Sequence, residues 1–138
     1  MKFILSILFI ISLSGCASIK NAFDSYFIAK YDSNEHVLIN KISVYSTLSK
    51  SLCSNTDQMK LSVSSLFGYS SELKNFSLNL PNNSNTSQLN DNLHIMIEEL
   101  YTRYQTNKDV NKTYCELKLQ SISDSANMIQ KLLARRPR

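Results

Sequence analysis

Cysteine is the residue type with the most chemistry to offer in this chain, and there are three of them, Cys16, Cys53 and Cys115. Beside an imidazole a thiol can act as a nucleophile, and His36 and His94 are the two histidines available. No spacing ties either histidine to a cysteine, so no catalytic residue is assigned. Asp91, His94 and Glu98 stand at i, i+3 and i+7, which gathers a carboxylate, an imidazole and a carboxylate on one helical face. Such a set can hold a metal in a helical bundle, but a di-metal site needs matching ligands on other helices and no Glu-x-x-His partner occurs. That face also lies off the apolar stripe, so a solvated polar flank is expected, with no metal and no cofactor. Arg135-Arg136-Pro137-Arg138 is the densest charge cluster. Arg135, Arg136 and Arg138 either contact an anionic surface or form a solvated tail that complements the dipole of the last helix.

The context of Cys16 differs from that of the other two. Lys2 gives a positive start, Phe3 to Leu13 form an apolar run broken only by Ser6 and Ser12, and small residues follow, which is the pattern of a secretory signal. The run is about 11 residues, too short for a spanning helix of about 20. Leu13-Ser14-Gly15-Cys16 resembles the lipobox of bacterial lipoproteins. The resemblance implies cleavage after Gly15, a diacylglyceryl thioether on Cys16, and a protein that sits on a membrane through its acyl chains without crossing it. In enterobacterial lipoproteins an aspartate after the cysteine retains the protein in the inner membrane. Ala17 stands there in this chain, so the resemblance favours the outer membrane, facing the periplasm. The expected organisation is residues 1–15 as a cleaved signal, 16–32 as the lipidated, membrane-proximal segment, and 33–138 as one helical domain with a basic tail.

Lipidation of Cys16 turns an odd cysteine count into a pair. In an oxidising periplasm Cys53 and Cys115 then read as a structural disulfide. The formal charge of +4 falls by one when Lys2 leaves, too mild a balance to argue for nucleic acid. Of two glycines only Gly68 survives cleavage, beside Pro81 and Pro137. Tight hairpins lean on glycine, so a β-sandwich or barrel is disfavoured, and phosphate-cradling loops and nucleophile elbows are missing. No small-molecule substrate is inferred and an enzyme is not expected.

Helical periodicity runs along most of the chain. Ile19, Phe23, Phe27 and Tyr31 recur at steps of four, as the start of a core helix or as an aromatic face on lipid. Leu38, Ile42, Tyr45, Leu48 and Leu52, widened by Val37 and Val44, predict a helix over 33–53. Met59, Val63, Leu66, Leu73 and Leu80 predict a second over 57–78, capped through Ser54 and Asp57, with Gly68 marking a kink or close crossing. A loop over 81–87 precedes a third helix carrying Leu89, Leu93, Met96, Ile97, Leu100, Tyr101 and Tyr104. Thr106 to Asp109 reads as a capping box for a fourth, with Val110, Tyr114, Leu117, Ile122, Ile129 and Leu133, ending near Ala134. The fold expected is an all-α antiparallel four-helix bundle, or three long helices plus a shorter one, with Cys53 and Cys115 stapled at the same end.

Ser14-Gly15-Cys16, Tyr31-Asp32-x-Asn34-Glu35, Tyr114-Cys115-Glu116-Leu117-Lys118 and the ending Arg135-Arg136-Pro137-Arg138 make the chain similar to short lipoproteins of marine bacteriophages and their bacterial hosts. The resemblance implies an architecture and no activity. The role expected is a non-enzymatic interaction module of the cell envelope, bound to membrane lipid through acylated Cys16 and to an envelope protein partner. The alternatives are an outer-membrane spanin-like lysis subunit or a receptor-blocking exclusion lipoprotein, with a small periplasmic enzyme third. Against the lysis role, a 24-residue helix is only about 36 Å long, so a compact bundle would reach a short way across a periplasm.

Overall fold

The computed structural model describes residues 29–106, 108 and 110–138. The lipobox residues Leu13, Ser14, Gly15 and Cys16, and the aromatic positions Phe23 and Phe27, lie outside the described residues. Four long helices account for most of what is described: α1 (Ser33–Ser49), α2 (Thr56–Leu78), α3 (Ser84–Gln105) and α4 (Lys112–Leu133), with one 3-10 turn at Lys50–Leu52 after α1. Each packs against its two sequence or ring neighbours, α1 on α2 and α4, α3 on α2 and α4, which is an up-down-up-down four-helix bundle. There is no strand among the described residues. Nor is any helix among them long and apolar enough to cross a membrane.

Apolar side chains from all four helices fill the centre: Ile39 and Ile42 of α1, Met59, Leu66 and Leu73 of α2, Leu93, Ile97 and Leu100 of α3, Leu119, Ile122 and Leu133 of α4. Serine fills the rest of the inner faces. Ser43, Ser46 and Ser49 of α1, Ser62, Ser70 and Ser77 of α2 and Ser123 of α4 are all buried. An unpartnered buried hydroxyl is costly, and these are satisfied in two ways. Some bond back to the carbonyl one turn earlier, Ser46 to Ile42 at 2.7 Å and Ser49 to Tyr45 at 2.7 Å. Others bond across to a neighbouring helix. Thr47 and Ser123 hydroxyls meet at 3.0 Å, Ser43 donates to Asn127 at 2.7 Å, and Ser49 meets Ser62. Ser43 and Thr47 with Ser123 and Asn127 form a polar seam between α1 and α4, and Ser49 with Ser62 bridges α1 to α2.

In α1 the expected positions Leu38 and Ile42 are in the core and Tyr45 and Leu52 pack against it, so the helix keeps most of the predicted stripe. Its inner face is Glu35, Leu38, Ile39, Ile42, Ser46 and Ser49, whereas Val37, Val44 and Leu48, expected on the apolar stripe, face outward, Leu48 with 65 % of its surface exposed. Leu117 of α4 is likewise exposed, and Cys115, Leu119 and Ala126 occupy the inner positions.

The boundaries differ from expectation for local reasons. α1 starts at Ser33 because Asp32 adopts an extended conformation and its carboxylate accepts the N–H groups of Asn34 and Glu35, at 2.8 and 3.1 Å. α2 is capped by Asn55, whose side chain accepts from the Gln58 N–H, rather than by Ser54. Thr106 closes α3 as its C-cap, and α4 is opened by Asn111, accepting from the Tyr114 N–H. The expected loop over 81–87 is shorter, since Ser84 to Ser87 already form the first turn of α3. Its sharp bend uses Asn82 at φ 57°, a left-handed conformation that asparagine tolerates better than most residues.

Gly68 lies within continuous α2, and a methyl group built on it meets nothing within 4 Å. No close crossing requires a glycine there. Gly68→Ala is therefore expected to raise stability by about 0.5–1 kcal/mol, through helix propensity and a less flexible unfolded chain. Urea unfolding would register it as a higher midpoint at unchanged slope.

Candidate functional site

At one end of the bundle lie the start of α1, the α2–α3 loop and the tail after α4. The Tyr31 N–H donates to the Pro137 carbonyl at 2.9 Å, so the chain leading into the domain and the C-terminal tail run side by side. Glu35 sits immediately inside this end with none of its surface exposed. Its Oε1 accepts from the Asn83 and Asn90 side-chain amides at 3.0 and 2.8 Å, and its Oε2 accepts from Arg136 Nη1 at 2.8 Å. Arg136 keeps only 8 % of its side chain exposed, and its second nitrogen donates to the Asn83 carbonyl oxygen. Asn83 and Asn90 both also donate to the Ser77 hydroxyl. A single buried carboxylate thus joins α1, the end of α2, the α2–α3 loop, α3 and the C-terminal tail.

From sequence, Arg136 is expected with Arg135 and Arg138 as an anionic-surface contact or a solvated tail. The structure separates them. Arg136 turns inward because Glu35 needs a counter-charge, while Arg135 and Arg138 remain exposed, Arg138 with its guanidinium 6.0 Å from the centre of the Tyr31 ring. The use of Asn83 in this network also explains why α3 has no side-chain cap, although asparagine stands at the capping position.

At the opposite end Cys53, just after the 3-10 turn, and Cys115, in the first turn of α4, form a disulfide with Cα atoms 5.8 Å apart. Both are buried. The pair closes a loop of sequence separation 62, joining the end of α1 to the start of α4.

Asp91, His94 and Glu98 do not converge. Asp91 pairs with Lys74 of α2 at 2.7 Å, and Glu98 is exposed. His94 was expected on a solvated flank, but it is turned into the α2–α3 interface, with 7 % of its surface exposed. There its Nδ1 lies 2.9 Å from the Ser70 hydroxyl, and its ring sits 5.3 Å from that of Phe67, which in turn stacks on Tyr101. No group of three His, Cys, Asp or Glu among the described residues is placed to hold a metal ion.

Burial pushes the His94 imidazole below its ordinary value, Lys74 adds to this, and Glu98 and Asp91 oppose it. The folded state therefore resists protonation more than the unfolded chain does. The stability this represents is complete above the unfolded value of about 6.5 and is lost as pH falls below it. Urea midpoints should drop between pH 7.5 and pH 5, and His94→Gln should flatten that part of the profile.

The described surface has shallow depressions. One of about 290 Å³ is lined by His36, Asn127, Gln130, Lys131 and Ala134, and another of about 380 Å³ by Ile95, Glu98, Glu99, Thr102, Arg103 and Lys108. The second is bordered by surface ion pairs, Glu99 with Lys118 at 2.6 Å and with Arg103 at 3.5 Å. Neither gathers a nucleophile with a base.

No known protein family, curated protein or solved structure matches the chain.

Proposed function

We propose that the protein is a lipid-anchored, non-enzymatic interaction module of the bacterial cell envelope. The observation that carries this reading is the fate of the cysteines. Cys53 and Cys115 are joined to each other, which leaves Cys16 as the one thiol outside that pair, directly after an apolar run and Leu13-Ser14-Gly15. A disulfide between buried cysteines fits an oxidising compartment, and the sequence before Cys16 supplies the route to one. Acyl chains on Cys16 then hold the domain at a membrane, the outer membrane by the lipoprotein analogy, with the bundle in the periplasm. A rigid helical scaffold with shallow depressions suits contact with an envelope protein better than enclosure of a small substrate.

The anchor is tested by labelling cells that express the full chain with radioactive palmitate. Label should enter the wild-type protein and be lost in Cys16→Ala, with the variant released from the membrane fraction or retained only through its uncleaved signal. Undiminished label in Cys16→Ala, or an unlabelled wild type, overturns the anchor.

A further inference from the structure

We propose that the end of the bundle carrying Lys30, Arg135 and Arg138 docks on an anionic phospholipid surface, with Tyr31 and Leu132 as the apolar part of the footprint. The source of the membrane rests on the lipoprotein reading; the chemistry of the surface rests on the structure.

Two side-chain carboxylates belong to this end, and both are engaged. Asp32 is occupied as the helix cap of α1, and Glu35 is buried against Arg136. The remaining cations point outward. Lys30 and Arg135 are exposed and their side chains bond nothing among the described residues, and Arg138 is exposed over the Tyr31 ring. At the disulfide end Lys112 lies beside Glu116, Lys118 and Arg103 share Glu99, Lys50 donates to Gln120, and Lys108 has no carboxylate partner among the described residues. The basic end therefore presents positive charge that its own acids do not neutralise, which is the complement of anionic headgroups.

Apolar surface lies beside it. Leu132, one turn before Arg135 on α4, is 43 % exposed, and Tyr31 offers a ring with a polar tip, the combination that favours a headgroup boundary. The path of the chain brings this end towards the anchor. Ala29 is the first described residue and lies here, so the segment from Cys16 reaches the bundle at its basic end, over at most about 45 Å when fully extended. Docking at that end leaves the disulfide end and the outward faces of the helices free for a protein partner.

The test uses the full chain with Cys16→Ser, which no acyl group can join, and measures flotation with phosphatidylcholine vesicles alone or mixed with phosphatidylglycerol. Binding through the residual signal, including the share that Lys2 adds on anionic vesicles, is common to every variant and cancels in their comparison. The expected result is an increment specific to the anionic vesicles that is abolished by high salt. Adding Lys30→Gln, Arg135→Gln and Arg138→Gln should lower it by roughly tenfold to a hundredfold. The same number of charges removed at the other end, Lys50→Gln, Lys108→Gln and Lys112→Gln, should leave most of it. Circular dichroism melts check that both variants fold. Equal binding to neutral and anionic vesicles overturns the proposal and leaves the patch to an acidic protein. So does an increment that the two charge variants reduce alike, or one that the basic-end variant does not reduce. Because acylation is blocked throughout, these outcomes are independent of the palmitate result.

Discussion

Arg136→Ala is expected to lower the stability of the domain by about 3–5 kcal/mol, a larger effect than any exposed ion pair in the protein should have. The reason is the partner left behind. Glu35 is wholly buried and receives only two neutral amide donors besides the guanidinium, so removing Arg136 strands a charge in a low-dielectric site. Arg136→Lys should recover part of the loss at best, because one ammonium cannot reach Glu35 and the Asn83 carbonyl oxygen with the same planar fork. Glu35→Gln combined with Arg136→Met should be less damaging than Arg136→Ala alone, since no unpaired charge remains. Urea unfolding of the singles and the double gives the coupling directly, and a coupling near zero would refute the account. The pair should also be nearly indifferent to salt, whereas the exposed Lys74–Asp91 pair should weaken as ionic strength rises.

The second large effect belongs to the disulfide. Replacing Cys53 and Cys115 together by alanine, or reducing the bond, should cost about 4 kcal/mol on the chain-entropy account of a loop this long. For a domain of this size that corresponds to a fall in melting temperature of more than about 10 °C. The alanine pair is the better comparison, because reduced thiols remain apolar enough to pack but add crowding where two sulfurs were bonded. The helical circular dichroism below the transition should be unchanged, because four apolar helix faces still define the fold. A melt that moves by only a degree or two would show that the bond constrains little.

The bundle itself was legible in the sequence because leucine, isoleucine and methionine mark the inner faces of α2 and α3 at helical spacing, and proline and asparagine separate them. In α1 only part of the inner face is legible in the sequence, for a physical reason. Three of its inner positions are Ser43, Ser46 and Ser49, residues that a hydrophobic pattern cannot reveal, and Val37, Val44 and Leu48 on the opposite face supplied a competing stripe. The same mixed pattern hides the candidate site. With Ile39 placed beside Leu38 and Ile42, Glu35 falls in phase with the inner face, and a carboxylate on an apolar stripe demands a cation. Arg136 then stands out from its neighbours as the residue able to meet it. The burial of His94, expected on a solvated flank, is hidden similarly: its partners Phe67 and Ser70 belong to another helix, and no single-helix pattern reports them. The capping errors at Asn55 and Asn111 have a simpler source. Serine, threonine, aspartate and asparagine are so abundant at both junctions that several residues qualify, and the helix start is set by where packing of the inner face begins.

The disulfide has a mechanical consequence. Residues 54–114, which include all of α2 and α3, lie inside the covalent loop it closes. If the anchor proposed on Cys16 pulls at residue 29 while a partner grips the tail, tension passes through α1, across the sulfur bridge and out along α4. The middle of the chain carries no load. Only the segments before Cys53 and after Cys115 can be drawn out, and the first contacts to bear the force are Tyr31 on Pro137 and Glu35 on Arg136. Pulled from both ends in this way, the domain yields first at its basic end and still keeps the hairpin of α2 and α3 inside a loop that force cannot extend.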